Sequence, residues 1–425
     1  MLRVTPPTLT ETPANRVPIT GLLAANIVSL IGSMLTLIAL PWFVLQTTGS
    51  AAKTGLTGFF VALPFLITGI FGGTVVDRLG YKRSSVIADI VSGIGIALVP
   101  LLYYTVGLAF WQLLALVFLG NLLAVPGLTA RRALLPELAT AAGWRLERVN
   151  AAFEGAQYIA LLLGPPVAGL LIALFGASRV LWLDAASFFI SAIVVALVIP
   201  HGITGARRAA TGSYREELVA GLRFLRNDRV LLALAINVAL ATLISSPYLG
   251  VVLPVFTKRT YDSATALGII VAAMGGGSVI GAVIYGAVGH RLSRRLLWIG
   301  GYIVNALPLA MIILTHSLPL IVVALGLGGM ASGPLNPLLV TIRHERIPVA
   351  MRGRVFSTFS AIASGAQPLG LLVGGNLLER IGLGPTVFAI TVGELVVGIG
   401  LLFVPALREL DAPAHAHAEP AAVAG

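Results

Sequence analysis

The stretch GGTVVDRLGYKR at residues 72–83 joins two long apolar runs and is the most informative segment of the chain. Gly73 has no side chain, so the end of the preceding helix can approach a neighbouring helix closely. Asp77 follows at the membrane edge, where its carboxylate can bond the positive N-terminal end of another helix. Three basic residues then hold the connection at an anionic lipid surface: Arg78, Lys82 and Arg83. These features predict a short loop between two membrane-spanning helices.

The composition of the whole chain agrees with this local prediction. Of 425 residues, 57% are hydrophobic and only 11% are charged, whereas a soluble protein carries about 25% charged residues. The chain has no cysteine, which excludes a disulfide scaffold. The net charge of +11 would favour nucleic acid in a soluble domain. Because the basic residues lie in short clusters between apolar runs, we predict instead a polytopic membrane protein that binds no nucleic acid.

The apolar runs are long enough to cross a bilayer, which takes about 20 residues each. The first, at 18–45, exceeds a signal-peptide core and is interpreted as a retained span. Eleven more are predicted at about 54–76, 84–106, 108–130, 149–174, 178–200, 230–256, 264–289, 296–315, 318–341, 353–378 and 382–406. With both termini cytosolic, 23 basic residues lie inside and 5 outside, as the positive-inside rule requires. We therefore predict a multi-pass protein of the plasma or inner membrane.

The two halves of the chain repeat each other. The sequence LPWF at 40–43 recurs as LPVF at 253–256, 213 positions later. Arg131 recurs as Arg343 after 212 positions, and Gly164 as Gly370 after 206. Parallel repeats of this kind usually enclose a substrate site near the midplane. The predicted organisation is a cytosolic tail (1–18), a six-helix bundle (19–200), a central cytosolic loop (201–229), a second six-helix bundle (230–406) and a cytosolic tail (407–425).

Residues 72–83 resemble the signature of the major facilitator superfamily, G-x-x-x-D-R-x-G-x-[RK]-[RK]. The matching positions are Gly73, Asp77, Arg78, Gly80, Lys82 and Arg83. The resemblance implies an all-α membrane protein with twelve transmembrane helices in two pseudo-symmetric six-helix bundles, the major facilitator fold. It also implies that these six residues form a conformational latch, in which Asp77 bonds the start of the eleventh helix near Val355. The second-half copy has His290 in place of the acid, so the first copy is expected to be the main latch.

A second resemblance lies in the fifth helix, at LLLGPPVAGLL, residues 161–171. Gly164, Pro165 and Gly169 match the end of the antiporter signature of drug-exporting members, although Ala160 stands where a glycine is expected. A proline removes a backbone hydrogen bond and glycines let a helix bend, so a generic kink is the alternative. Segments 129–137 and 184–191 resemble the subgroup that contains enterobactin exporters and macrolide efflux proteins.

Glu154 is the first candidate for proton or substrate coupling. It lies inside the predicted fifth span, where a carboxylate is costly. It shares a helical face with Gln157 and Tyr158, three and four residues later. A structural hydrogen bond to a neighbouring helix is the alternative role.

Three other acids also fall within predicted spans: Asp89, Asp184 and Glu394. Asp89 is the second coupling candidate, with a salt bridge to Lys82 or Arg83 as the alternative. We expect Asp184 to pair with Arg179 or to cap its helix, and Glu394 has no assigned role. The fourth helix carries basic residues only at its predicted cytosolic end, Arg131 and Arg132, so coupling by an arginine inside that helix is not expected.

Neutral polar residues are the candidates for the cavity wall. In this family helices one, four, seven and ten line the path, and here each carries an asparagine: Asn26, Asn121, Asn237 and Asn336. An uncharged donor and acceptor suits a wide substrate range, and bonding between helices is the alternative. Four more residues complete the expected lining: Phe153, Gln157, Tyr158 and Gln367.

These features lead to an expected function. The sequence has no phosphate-binding loop, no nucleophile–base pair and no metal-ligand cluster, so we expect neither an ATP-driven pump nor an enzyme, and no cofactor or metal. The family resemblance implies a monomeric secondary transporter in contact with membrane lipids, which exports amphipathic drugs or siderophore-like compounds in exchange for protons. The alternatives are a lysophospholipid flippase, an uncoupled facilitator, and a non-transporting membrane receptor or scaffold.

Overall fold

The computed structural model describes residues 15–200 and 214–411, without the side chains of residues 69–75, 77 and 214–217. Within these ranges every regular element is helical, and twelve helices are long and apolar enough to cross a membrane. We number these helices α1 to α12: Val17–Thr48, Ala51–Leu79, Tyr81–Thr105, Phe110–Ala141, Leu146–Phe175, Ala177–Val198, Arg229–Tyr261, Ala264–Arg291, Arg294–Leu314, Leu318–Arg346, Val349–Ile381 and Leu383–Phe403. The prediction of an all-α protein with twelve transmembrane helices is confirmed.

Several of these helices are interrupted along their length. The most informative break is in α4, where Phe110–Asn121 is followed after two residues by Ala124–Ala141. In α7 a π-helical turn, Tyr248–Val252, separates Arg229–Pro247 from Leu253–Tyr261. The predicted fourth span ended at residue 130, but α4 continues to 141. This correction places Arg131 inside the helix.

The helix ends follow the sequence repeat. Ser50 caps α2 and Ser263 caps α8, each by accepting the backbone N–H three residues later at 3.2 Å. These two serines lie 213 positions apart. Gly176 precedes α6 and Gly382 precedes α12, 206 positions later, with φ values of 83° and 82°. Only glycine adopts such φ angles without strain, so the duplicated sequence gives duplicated turns.

The helices form two bundles, α1–α6 and α7–α12. In the first bundle α6 packs on α1 and α3, and in the second α7 packs on α11 and α8 on α10. The most extensive contacts between the bundles are made by two helix pairs, α2 with α11 and α5 with α8. Because the number of spans is even, residues 15 and 411 lie at one face of the protein, here called the terminal face, and the opposite face is called the distal face.

The polar segment between the bundles is described only in part. It contains the helix Tyr214–Asn227, which packs against α11. Residues 201–213 of the predicted central loop lie outside the described residues, as do 1–14 and 412–425 of the predicted tails. The exact boundaries proposed for the domains therefore stay a prediction.

Candidate functional site

A central cavity of about 890 Å³ lies between the two bundles. Its wall is formed by residues of α1–α4, α6 and α7–α11, and most of these residues are apolar or neutral. Within the described part of the chain, three lining residues carry a charge: Asp89, Arg131 and Asp184. All three belong to the first bundle.

Arg131 connects four helices of the first bundle at the cavity wall. It lies on α4 and is only 5% exposed. Its guanidinium donates to the Asp89 carboxylate on α3, to Ser191 Oγ on α6 at 2.8 Å and to Ser85 Oγ on α3 at 3.1 Å. Arg131 Nη1 also donates to Asn26 Oδ1 on α1 at 3.4 Å. A buried ion pair is tolerated only when such additional hydrogen bonds satisfy both ions.

This pair corrects two expectations. Asp89 pairs with Arg131, and the lysine offered as its alternative partner is used elsewhere, because Lys82 Nζ donates to the carbonyl of Ile199 at 2.5 Å. Arg83 is exposed. Arg131 does not lie at the cytosolic end of α4 but ten residues before it, so an arginine is present inside the fourth helix.

Asp184 is the second carboxylate on the cavity wall and is 1% exposed. Thr36 on α1 donates to it, and Ser187 Oγ donates to Asp184 Oδ1 at 3.3 Å. The contact with α1 is close because Gly32 lies opposite, where an added Cβ would lie 2.8 Å from Ser187 Cβ. Arg179, the expected partner, is exposed at the start of α6. Asp184 lies about 7.5 Å further along the helix axis than Arg179, inside the bundle, so it is neither a cap nor an interfacial pair.

Glu154 lies away from the cavity. Its side chain is 50% exposed and accepts a hydrogen bond from Arg132 Nη2 at 3.0 Å. The buried face of α5 includes Phe153 and Ala156, so Glu154 points to the opposite side. Glu154 therefore does not border the cavity, and its predicted role in coupling is not tested by this placement.

The other lining candidates on α5 are also placed elsewhere. Phe153 is fully buried against α4 and α1, in a cluster with Leu134, Leu138 and Leu22. Tyr158 is exposed, and Gln157 is half-buried outside the described cavity lining. The reason is that α5 packs its small and apolar face on α1, while other helices enclose the cavity.

The four asparagines divide into two groups. Asn26 and Asn121 line the cavity, as does Gln367 on α11. Asn237 is buried outside the described lining and accepts the indole N–H of Trp298 at 3.0 Å. Asn336 is exposed and also lies outside that lining. Of the four asparagines expected at the cavity wall, two lie there, and both belong to the first bundle.

The predicted latch is described only in part. Gly73 and Asp77 lie within α2, but the Asp77 side chain is outside the described residues. Arg78 and Gly80 are exposed at the terminal end of α2, where Gly80 has a φ of 80°. The latch function stays a prediction.

At the distal face the two bundles meet through a carboxylate and through backbone. Glu379 on α11 accepts the backbone N–H groups of Ala51 at 2.7 Å and Ala52 at 3.2 Å. An acid at this position stabilises the positive N-terminal end of α2. Next to this contact, an added Cβ on Gly55 of α2 would lie only 2.8 Å from the Cα of Gly375. The sequence analysis gave Glu379 no role, because an acid at the end of one helix does not reveal which helix it caps.

Of the two glycines predicted to bend α5, Gly169 forms the second contact between the bundles and Gly164 contacts a helix of its own bundle. Thr265 Oγ1 on α8 donates to the Gly169 carbonyl at 3.2 Å, and an added Cβ on Gly169 would lie 2.5 Å from the Ala264 carbonyl. Gly164 faces Met34 on α1, whose Cγ would lie 2.8 Å from an added Cβ. Pro165 lies within the continuous helix Leu146–Phe175. These residues therefore allow close helix approach, and the predicted bending is untested.

Twelve apolar helices, packed as two bundles around a central cavity with buried charges, are the architecture of a membrane transporter of the major facilitator type. The family model described as transmembrane secretion effector, a group within the major facilitators, matches residues 12–424. This chain belongs to that family.

Curated relatives cover almost the whole chain. The multidrug efflux pump Tap of Mycolicibacterium fortuitum is 33% identical over 405 residues, which span 94% of this chain and 98% of the relative. Macrolide efflux protein A of Streptococcus pyogenes is 24% identical over 402 residues, 91% of this chain and 96% of the relative. The chain is thus a multi-pass cell-membrane transporter of small molecules.

Solved structures agree on the fold. The nucleoside transporter NupG superposes with a TM-score of 0.75 at 14% identity, over 91% of this chain and 98% of that one. A bacterial homologue of the human lysosomal transporter Spinster, inward-facing and unoccupied, gives a TM-score of 0.67 at 14% identity, over 94% and 97% of the two chains. At these identities the likeness establishes the fold alone.

Proposed function

We propose that this protein exports amphipathic small molecules from the cytosol in exchange for protons, by alternating access of the central cavity. The names of its relatives, a multidrug pump and a macrolide efflux protein, support drug-like substrates, macrolides among them. The excess of basic residues in the connections at the terminal face supports a cytosolic location for that face and both termini. The distal face is then outside. We further propose that the protein acts as a monomer, surrounded by membrane lipids.

The observation that carries the coupling proposal is the buried Asp89–Arg131 pair on the cavity wall. When the cavity opens outwards, a proton from outside binds the Asp89 carboxylate and weakens its bond to Arg131. The proton leaves to the cytosol when the cavity opens inwards and the pair re-forms. Each inward proton supplies about 2.3 kcal/mol per 100 mV of membrane potential. Glu154 is the less favoured coupling candidate, because its carboxylate is half exposed beside Arg132.

The cycle also needs two closures. The bonds from Ala51 and Ala52 to Glu379 support the proposal that the described state is closed on the outside. The segment around Asp77, which resembles the family signature, is proposed to latch the inner face in the other state. A rocking motion of α1–α6 against α7–α12 would exchange these two closures.

Reconstituted vesicles test the proposal. We would load a panel of amphipathic compounds that includes a macrolide and compare transport with and without a pH gradient, using wild type and Asp89→Asn. Tyr302→Phe is the matched control, because Tyr302 occupies the repeat-related position 213 residues later. We expect gradient-driven transport in wild type and Tyr302→Phe, and loss of the gradient dependence in Asp89→Asn by about tenfold or more.

Other outcomes favour the alternatives. Transport that persists unchanged after a protonophore indicates an uncoupled facilitator. Movement of labelled lysophospholipid in place of the drug panel indicates a flippase. Vesicles that transport none of these compounds favour a receptor or scaffold.

A further inference from the structure

The contact between α5 and α8 is closed over only part of its length. Near the distal face, an added Cβ on Gly169 would lie 2.5 Å from the Ala264 carbonyl. Towards the middle of both helices, an added Cβ on Gly275 would lie 3.4 Å from Leu161 Cγ. Further towards the terminal face, Val283 on α8 is 68% exposed. The two helices therefore diverge between this middle contact and the terminal face.

The register of the closed part predicts which residues would meet if the two helices closed fully. Because α5 and α8 are antiparallel, a step along one helix matches a step back along the other. Glu147 precedes Leu161 by 14 residues, and His290 follows Gly275 by 15, which correspond to about 21 and 22.5 Å of helix. Each interval is close to four turns, so both residues lie on the facing sides. Glu147, in the first turn of α5, would thus oppose His290.

The repeat-related pair, α2 and α11, has a matching register. Gly55 contacts Gly375 near the distal face. Asp77 follows Gly55 by 22 residues, and Gly353 precedes Gly375 by 22. Full closure would therefore place position 77 opposite the first α-helical turn of α11, where the family signature implies a latch. The two pairs differ in charge, because that turn of α11 has no acid and the first turn of α5 has Glu147.

His290 has the groups needed to bind this acid. It lies in the turn Gly289–Arg291 at the terminal end of α8. The Nε of Arg291 donates to His290 Nε2 at 3.2 Å, so this ring nitrogen accepts and the proton lies on Nδ1. The Nδ1–H can donate to a carboxylate. Glu147 pairs with Arg145 at 3.5 Å, and the two side chains are 77% and 86% exposed, so this pair holds the acid only weakly.

Gly286 gives a second indication that the helices close. It follows Gly268 by 18 residues, which is five turns, so both lie on the face of α8 that meets α5. At Gly268 the carbonyl of Pro165 lies against the position of an added Cβ, whereas at Gly286 an added Cβ would meet no atom within 4 Å. A glycine inside a helix is costly, and its missing side chain is useful where another main chain approaches. Full closure of α8 on α5 provides that approach at Gly286.

We propose that α5 and α8 close along their whole length when the terminal face shuts, and that His290 then donates to Glu147 as a second inner latch. The proposal rests on the alternating access proposed above and names residues that hold one of its states. The histidine in the second-half copy then keeps the contact with reversed polarity. At α2 an acid meets the start of a helix, and at α8 a donor meets an acid at the start of a helix.

Disulfide trapping in the full-length protein tests the closure, because the chain has no native cysteine. The pair Ala151→Cys with Val283→Cys lies in the proposed register, and both residues are exposed here. We expect oxidation with copper phenanthroline to link the two cysteines, measured as loss of maleimide-reactive thiols. The control pair Ala152→Cys with Val283→Cys is turned by about 100° around α5. It should react about tenfold more slowly or less, because a disulfide needs Cα atoms within about 7 Å.

The rate of trapping follows the closed population and so measures the latch. In the Ala151→Cys, Val283→Cys background, Glu147→Ala and His290→Ala should each slow trapping by about fivefold, the factor for one hydrogen bond. Both changes together should slow it no further, because they remove the same bond. His290→Asn keeps an N–H donor near the position of Nδ1 and should retain the rate. Glu137→Ala removes another exposed acid near the terminal end of α4 and should not change it.

The outcomes separate this proposal from the proposed function. Equal trapping of the two cysteine pairs, or none in either, would overturn the closure of α5 on α8. A rate that ignores Glu147→Ala and His290→Ala, or that falls further when they are combined, would overturn the latch. Failure of vesicles to show proton-driven export, with the rate differences intact, would contradict the exporter proposal and leave the latch standing. Proton-driven export without these rate differences would contradict only the latch.

Discussion

The two bundles have the same architecture but use their repeat-related polar residues differently. Arg131 and Arg343 lie 212 positions apart, on the repeat-related helices α4 and α10. Arg131 is paired with Asp89 at the cavity. The Arg343 guanidinium instead stacks on Phe356 and Phe359, each with its ring centroid at 5.0 Å. One arginine therefore faces a counter-ion and the other faces aromatic rings.

The residues around these arginines differ in the same way. Asn26 accepts from Arg131, whereas Asn237, 211 positions later, accepts from Trp298. Tyr302 stands 213 positions after Asp89 and packs on Trp298 with ring centroids 5.6 Å apart. Duplication thus preserved the packing scaffold, while ionisable groups at the cavity were kept in the first bundle. The symmetry of the fold therefore does not extend to the chemistry of the two bundles.

The largest expected effect is for Arg131→Met compared with Arg343→Met. Removing Arg131 leaves the Asp89 charge buried without its partner, which costs about 3–5 kcal/mol of folding stability, and export should cease. Removing Arg343 loses cation–π contacts worth about 1 kcal/mol and should leave most export. Thermal unfolding of the purified variants and vesicle transport measure both quantities. Equal losses in the two variants would contradict the functional difference between the bundles.

A double variant tests, with a smaller expected effect, whether Arg131 acts through its pairing with Asp89. Asp89→Asn combined with Arg131→Met removes both charges, so the unpaired buried carboxylate of the single Arg131→Met variant is gone. We expect the double variant to regain about 1–3 kcal/mol of folding stability relative to Arg131→Met, without regaining proton-driven transport. Additive losses of stability in the double variant would indicate that Arg131 acts independently of Asp89.

Closure at the distal face is also unequal between the bundles. Glu379 of the second bundle caps α2, but the repeat-related position 206 residues earlier is Ala173, one turn after Gly169, which contacts the start of α8. Glu379→Gln should weaken the closed state by about 1 kcal/mol, the value of a helix cap. Because the chain has no native cysteine, spin labels at cysteines introduced into the distal ends of α2 and α11 can measure the closed population.

The reverse substitution provides the matched comparison. Ala173→Glu should add a carboxylate near the N-terminus of α8 and raise the closed population by a few tenths to about 1 kcal/mol. The same spin-label distances measure this change in the closed population. A closed population that responds to neither variant would show that backbone packing alone holds this face.

The smallest effect is expected for Glu154→Gln. An exposed pair such as Glu154–Arg132 contributes about 0–1 kcal/mol to the free energy of unfolding. The rate of proton-driven export should therefore change by less than about twofold, and the stability should stay within that range. Transport against pH gradients of different size measures it. A complete loss of coupling in this variant would return Glu154 to the first place among coupling candidates.

The sequence predicted the fold well because span length, charge asymmetry and the repeat each depend on local composition. The functional site depends on how helices rotate against one another, which composition does not determine. Arg131 was placed at the cytosolic end of the fourth helix because arginine marks span ends, but its pairing with Asp89 on a neighbouring helix makes a buried position tolerable. The signal that could have predicted this pair was the presence of opposite charges, Asp89 in span three and Arg131 at the end of span four.

Asp184 and Glu154 show the same limitation in opposite directions. Asp184 was expected to pair with Arg179, but residues five apart point to different faces of a helix. That spacing alone could have predicted that Asp184 faces the interior of the bundle. Glu154 shares a face with two polar residues, and no feature of the sequence tells whether that face meets the cavity or the surface. Only the packing of Phe153 against α4 settles its orientation.

The glycine contact at the distal face has a consequence for cells. Gly55 and Gly375 bring two main chains together with no side chain between them, so this seal has no flexible group that can yield to an added methyl. An alanine at either position would wedge the outer gate ajar and let expelled compounds leak back. Under the proposed export function, cells producing that variant would take up again part of what the pump has expelled.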